Sequence, residues 1–327
     1  MNTPLKKQPT VSVIICTYNR SKLLRLCLNS LIEQTADIAK FEIIIVDNNS
    51  SDNTQELILE YTNIYSHIIS VFEPNTGLSF ARNTGYKYAT SDWILYIDDD
   101  AKAFPNMVER AIYTATNYPY LCFGGIVNSY FNTDKIPKWW GIDSFESNLY
   151  LLKKYDTGVH ALENESPYGD IFVVNKTLLI DLNGFKTNLG MKGNKIGYGE
   201  ETDLVQRIRQ KGLPIGIDTE MRIYHLVPDI KLKFSWQLRA AFAKGYNSPH
   251  LLDTGKKTSL QQIGYFILTP IRYIRIIGYT IKSVIIKPNY FIGNAMLSIL
   301  GSFYYDVGKI LALFEIYKEK VSHRVKN

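Results

Sequence analysis

The sequence predicts an α/β fold: a mostly parallel central sheet flanked by helices, followed by a helical extension at the C-terminus. Three observations predict it. Short apolar runs alternate with amphipathic helical segments through the first hundred residues, the pattern of βαβ units joined by right-handed crossovers. Those runs stop abruptly in polar or acidic turns, as strands do at the carboxyl edge of such a sheet, where ligands bind. From about Leu260 onward the chain changes to long Ile-, Tyr- and Phe-rich stretches interrupted by Lys and Arg.

Taken in order, residues 11–16 read as a buried strand and Thr17-Tyr18-Asn19-Arg20 as its turn. Ser21 is placed to cap a helix to about Gln34, with Leu24, Leu28, Leu31 and Ile32 on one face. Residues 41–46 form a second strand ending in Asp47-Asn48-Asn49-Ser50-Ser51-Asp52, and Asp52 with Gln55 resembles a capping box for a helix to about Tyr61. A third strand over 67–72 closes in Glu73-Pro74-Asn75. Gly77 precedes a helix over 78–89, and residues 93–97 are the fourth strand.

In the second half, Pro105 sits at an expected first helical position before a helix to Asn117. Residues 121–127 read as a strand whose Gly124-Gly125 pair signals close backbone approach. Residues 128–168 are irregular; 171–174 are a strand and 176–182 a short helix. Gly197-Tyr198-Gly199 opens a helix from Glu200 to Lys211, stopped by Gly212, and 223–226 are strand-like.

With 327 residues, 46% of them hydrophobic, the chain can bury an ample core. A net charge of +6 is too small to argue for nucleic acid. Cys16, Cys27 and Cys122 show no metal-ligand spacing and read as reduced thiols. The polar opening, residues 1–10, has no leader pattern and gives the expectation of a cytoplasmic protein.

The chemistry centres on Trp93-Ile94-Leu95-Tyr96-Ile97-Asp98-Asp99-Asp100. Residues two apart on a strand point the same way, so Asp98 and Asp100 are expected to project together. Paired carboxylates suit a hard divalent cation, Mg²⁺ or Mn²⁺, and a phosphate-bearing substrate; a solvated acidic turn is the plain alternative. Asp47 offers an acceptor to a ribose or base. Arg82 and Asn83, early in their helix, offer donors to a pyrophosphate, with a surface salt bridge as the alternative for Arg82. Glu200 and Glu201 suit a helix N-terminus on dipole grounds alone, while the glycines before them would open that end to a cleft and a general base. Trp139 and Trp140 read either as a sugar-stacking pair or as a local mini-core, and His225 as a structural residue or a ligand.

These residues, in order, resemble the motif set of the family 2 glycosyltransferases: Thr-Tyr-Asn-Arg, the Val-Asp-Asn turn, Asn75 to Asn83, the Asp-x-Asp motif and the Gly-Glu helix start. The resemblance covers roughly residues 10–226. It implies a GT-A fold, Rossmann-like, with 10–100 as nucleotide-binding half and 101–226 as acceptor half, and an inverting sugar transfer from a nucleotide donor, UDP- or dTDP-linked, to a glycan or lipid-linked hydroxyl. Carried over, Thr17, Tyr18, Arg20 and Asp47 would hold base and ribose, and Arg82 the donor's phosphate or base region. Asp98 and Asp99 would lie at the donor, and Asp100, with Asp98 and His225, at the Mn²⁺ or Mg²⁺. The expected base is Glu201, where the family has Asp; Glu200 stays open as the alternative. Trp139 and Trp140 are acceptor candidates.

Other readings explain less. A sugar nucleotidylyltransferase lacks its Gly-rich first loop here, and a receiver-domain likeness leaves the second half unexplained. An inactive family member serving as an assembly partner is the non-enzymatic alternative. Residues 227–327 are expected to be helical. Residues 263–286, broken by Pro270, and 290–314 read as helices lying on a membrane surface with their basic side toward anionic headgroups. A helical hairpin packed on the catalytic domain or on a second subunit is the alternative. The implied location is the inner face of the cell membrane, with a homo-oligomer possible.

Overall fold

The structure, a computed structural model, describes residues 10–140, 155–193, 195–251, 259–287 and 290–325. The chain divides into two compact units. The first comprises Met1–Tyr130, Asn148–Lys195 and Glu200–Leu226; the second comprises Phe131–Ser147, Ile196–Gly199 and Val227–Asn327. The C-terminal region expected from residue 227 therefore also takes in two earlier segments.

In the first unit, the apolar run VSVIICT forms β1 (Val11–Thr17), buried along almost its whole length, as a strand covered on both faces must be. It leads into α1 (Ser21–Ile32), β2 (Phe41–Asp47), α2 (Thr54–Ile64), β3 (Ile68–Phe72), α3 (Leu78–Tyr88) and β4 (Trp93–Asp98). Then follow β5 (Ala101–Ala103), α4 (Met107–Asn117), β6 (Cys122–Phe131), β7 (Val159–Leu162), β8 (Ile171–Asn175), α5 (Lys176–Asp181), α6 (Glu200–Gln210) and β9 (Ile215–Val227). The sheet order is β3-β2-β1-β4-β8-β6-β9-β5, with β7 paired to β9. Pairs among β1 to β4 are parallel, whereas β8 runs antiparallel to β4 and to β6, and β9 antiparallel to β5 and β7. The sheet is thus mixed, its parallel part confined to the first half.

Strand alternation sends Val13 and Ile15 to one face, under α1, α2 and α4, and Ile14 to the other, under α3, α5 and α6. Gly124 and Gly125 mark the expected close approach: a Cβ on Gly125 would stand 2.2 Å from the Met221 carbonyl oxygen. Several expected boundaries are corrected. Ser21 does not cap α1, whose cap position is Arg20 without a side-chain bond. The cap position of α2 is Asn53, although Asp52 accepts from the Thr54 amide at 3.1 Å. Pro105 precedes rather than opens α4, because its carbonyl is turned to the Thr35 amide at 2.8 Å.

The second unit carries α7 (Phe234–Leu251), α8 (Ser259–Ile286) and α9 (Ile292–Val325). Pro270 lies inside α8 rather than ending it. Pro288, expected to break the chain there, lies outside the described residues.

Candidate active site

Register assembles the site. Thr17 is level with Asp47 and Cys16 with Asp98, so the turns after β1, β2 and β4 share one sheet edge. Side chains then tie the turns together. Asn19, in the left-handed region at φ 54°, accepts from the Ser51 amide at 2.6 Å and the Asp52 amide at 3.3 Å. Asn48 donates to the Asn75 carbonyl at 2.7 Å and accepts from the Gly77 amide at 2.7 Å, which fixes the entry to α3. Asp47 is 2% exposed; one of its oxygens accepts from the Ser50 amide at 3.0 Å, and Oδ2 has no hydrogen-bond partner among the described residues. A buried orphan acceptor costs free energy until something donates to it. Here that donor would be a ligand N–H or O–H.

The three aspartates diverge. Asp99 turns back to β1, accepting from Thr17 Oγ1 at 2.8 Å and from Arg20 at 2.9 Å. Asp100 meets the same Arg20 nitrogen at 3.1 Å and His225 Nε2 at 3.2 Å. The other ring nitrogen of His225, Nδ1, lies 3.3 Å from Asp170. Asp98 stands 3.5 Å from Arg82. Burial opposes charge on His225, but Asp170 and Asp100 outweigh it and hold its pKa well above the ordinary histidine range. Burial pushes the Asp98 carboxyl above the ordinary carboxylate range, with Asp170 adding to the shift and Arg82 opposing it. Asp99 is pushed up to about 6 by burial, partly offset by Arg20.

Arg82 is neither on the surface nor open to a ligand. Its side chain is 2% exposed, and its guanidinium carbon lies 5.5–5.8 Å from the ring centres of Tyr96, Phe172 and Phe185. It donates to Glu200 at 3.0 Å and to the Gly169 carbonyl at 3.0 Å, and lies 4.0 Å from Glu201. Arg82 forms an internal bridge between Asp98 and the paired glutamates. Glu200 is 6% exposed at its side chain, and burial together with the Glu201 charge pushes its carboxyl up to about 8. Glu201 is the more open of the two, 23% exposed, beside Gly169.

Six carboxylates (Asp98, Asp99, Asp100, Asp170, Glu200, Glu201) thus surround Arg20, Arg82 and His225. The negative excess fits a hard cation. Among the described residues no three such groups form a ready-made metal cage. That suits an ion held by one or two carboxylates and completed by substrate phosphates, as Mg²⁺ often is.

The structure brings Thr17, Arg20, Asp47, Arg82, Asp98, Asp99, Asp100, Glu200, Glu201 and His225 to one edge, and Tyr18 lies half-buried in the first turn. Trp139 and Trp140 belong to the second unit, where Trp140 meets Phe131 and Trp139 meets Phe234, and Asn294 donates to the Trp139 carbonyl at 2.7 Å. Both stay half-buried within this aromatic cluster. Asp170 escaped sequence reasoning; its signal was a Gly-Asp pair directly ahead of an apolar strand, brought to this edge because β8 runs antiparallel to β4.

A nucleotide-sugar-dependent transferase is the class this fold and acidic edge define, and comparison with known proteins specifies it. Residues 12–172 match the family model Glycosyl transferase family 2. A glucosyl-dolichyl phosphate glucuronosyltransferase of Haloferax volcanii is 27% identical over 248 residues, 72% of this chain and 75% of the relative. Among solved structures, a mannosyltransferase of Pyrobaculum calidifontis, in complex with GDP-Man and Mn²⁺, superposes with a TM-score of 0.64 at 17% identity, covering 94% of this chain and 89% of the other. S. aureus TarS 1–349 in complex with UDP gives 0.50 at 15% identity, covering 95% and 92%. These two likenesses establish the GT-A fold. Residues 12–172 are thus a glycosyl transferase family 2 region within a GT-A fold, and the chain is a glycosyltransferase.

Proposed function

We propose an inverting, metal-assisted transfer of a sugar from a nucleoside diphosphate to a glycan or lipid-linked hydroxyl, with Glu201 as general base. The observation that carries this reading is the Arg82 bridge, which links Asp98 of the acidic turn to Glu200 of the α6 N-terminus within one buried cluster. Glu200 accepts a hydrogen bond from Arg82 and anchors the helix start. Glu201, one residue on and more exposed, is left to receive the acceptor's proton. A base acting from the face opposite the departing diphosphate would direct a single displacement, and hence inversion.

Asp47 Oδ2 would accept from the imide N–H of a uracil or thymine. Guanine offers an N–H of the same kind, so GDP-sugars belong in any screen beside UDP- and dTDP-sugars. Thr17, Tyr18 and Arg20 shape the wall of the nucleotide site, Arg20 also holding Asp99 and Asp100 in place. Asp100 and Asp98 would hold Mn²⁺ or Mg²⁺, with His225 beside them on Asp100, and such an ion would supply positive charge to the diphosphate as the sugar departs. The Haloferax relative's name, which includes a dolichyl phosphate, supports a lipid-linked acceptor and with it a position at a membrane.

The test is nucleoside diphosphate release from a panel of nucleotide sugars with Mn²⁺, followed by NMR of the product's anomeric proton. The reading expects release that stops in chelator and a product of inverted configuration. Retained configuration, or full release in chelator, contradicts it.

A further inference from the structure

The helices of the second unit are built inside out. In α8, Thr280 and Ser283 face the interior at 3% and 2% exposure, while Ile274, Ile281 and Ile285 stand outside at 70%, 56% and 77%. A helix facing water shows the reverse pattern. In α9 the same inversion recurs: Asn294 and Asp306 are buried, and Ile292, Phe303 and Phe314 are exposed. Asp306 is matched within the unit by the Arg272 guanidinium and by the Tyr273 hydroxyl at 2.9 Å.

Glycines set the contact between α7 and α9. A Cβ on Gly308 would stand 2.2 Å from the Phe242 carbonyl oxygen, and one on Gly245 would stand 1.9 Å from that of Tyr305. Close backbone packing through small residues, with polar groups satisfied inside, is how helices associate when their surroundings are apolar.

Charge selects the surroundings. Ile271, Ile274, Ile281 and Ile285 fall on one stripe at helical spacing. Arg275 and Lys282 each follow a stripe isoleucine by one residue, about 100° around the helix, and both are exposed. Residues 259–287 contain four cations, Arg272, Arg275, Lys282 and Lys287, and no Asp or Glu. An apolar stripe flanked only by cations complements an anionic lipid surface. A second copy of this chain would bring the same cations against each other. Among the described residues α9 is the one helix long and apolar enough to cross a membrane, over Ile292–Lys318. The exposed Arg275 and Lys282 favour α8 lying in the membrane plane.

We propose that the second unit is a membrane-binding module in which the isoleucine stripe of α8 enters the headgroup–acyl boundary of an anionic bilayer, with Arg275 and Lys282 at the level of the phosphates. The inference deepens the lipid-linked acceptor reading above, and rests on it for the acceptor alone.

Flotation of the full chain with vesicles tests it. The wild type floats with phosphatidylcholine–phosphatidylglycerol vesicles and far less with phosphatidylcholine alone. The double variant Ile274→Asp/Ile281→Asp lowers the bound fraction at least about tenfold, because two inserted side chains lose their apolar burial. Arg275→Glu/Lys282→Glu, which changes only exposed groups and so keeps the test open if the first variant misfolds, abolishes the preference for anionic vesicles. Equal flotation of the wild type and the charge-reversed variant overturns the proposal. So does a wild type that stays at the bottom as a stable oligomer, which would assign the stripe to a second copy. Nucleoside diphosphate release on the same samples separates the two readings. Flotation without release removes the catalytic proposal and leaves the membrane module; release without flotation does the opposite.

Discussion

A guanidinium buried among three aromatic rings must have its N–H groups accepted, because an unsatisfied charge there would cost several kcal/mol. Arg82 finds acceptors in Glu200, the Gly169 carbonyl and Asp98, and the arrangement leaves its mark on proton binding. Glu200, pushed up to about 8 by burial and by Glu201, keeps a proton in the fold that the unfolded chain, at an ordinary carboxylate value near 4.5, gives up. Between those limits the folded state binds more protons, so stability falls as pH rises. Asp98 and Asp99 are shifted upward too, and His225, raised above its ordinary value, loses its contribution on the same alkaline side. The expected outcome is a melting temperature of the metal-free enzyme, in chelator, that declines from about pH 5 to about pH 8. Glu200→Gln should flatten that decline. A wild-type melting temperature that rises across the window contradicts the assignment. The surroundings of Arg82 are not legible locally because they are remote in sequence: Phe172 and Phe185 arrive from the second half of the chain.

At the scale of elements, glycine decides how closely helices approach the sheet. Gly85 lies on the inner face of α3, where a Cβ would stand 2.6 Å from Ile14 Cγ2 and 3.2 Å from Val46 Cγ2. Gly85→Val should destabilise the protein by about 1–3 kcal/mol through overpacking, despite some gain in helix propensity. Thermal unfolding that is unchanged or raised would show that the core yields more readily than this geometry implies. The same scale explains which elements could be read. Strands β1 to β4 announce themselves as apolar runs bounded by turn residues. Strand β9 does so only at its end, because Asp218, Thr219, Glu220 and Arg222 look like a loop. In the fold Asp218 is fully buried, held by Arg110 at 3.0 Å and by Thr114 at 2.7 Å, so a polar residue occupies a core strand through partners 104 and 108 positions away.

Over the whole molecule, the gathering of the early turns was legible because it follows from local rules: parallel strands carry their terminal turns to one edge. The assignment of Asp47, Asp98 and Asp100 to that edge needed no tertiary information. What strand periodicity could not supply was the direction of β8, which brings Asp170 to His225, or the distinction between Glu200 and Glu201, which depends on where one buried arginine lies. The C-terminal helices were recognisable by composition, whereas their inverted burial is a property of packing alone. The proposed mechanism requires groups from both halves of the sheet to act as one catalytic centre, with Glu201 of α6 serving a donor held by the early turns. Glu201→Gln, assayed for turnover and donor affinity beside the wild type, isolates that requirement. Turnover should fall by about 10²–10⁴-fold, as for loss of a general base, with donor affinity retained; unchanged turnover would move the base elsewhere.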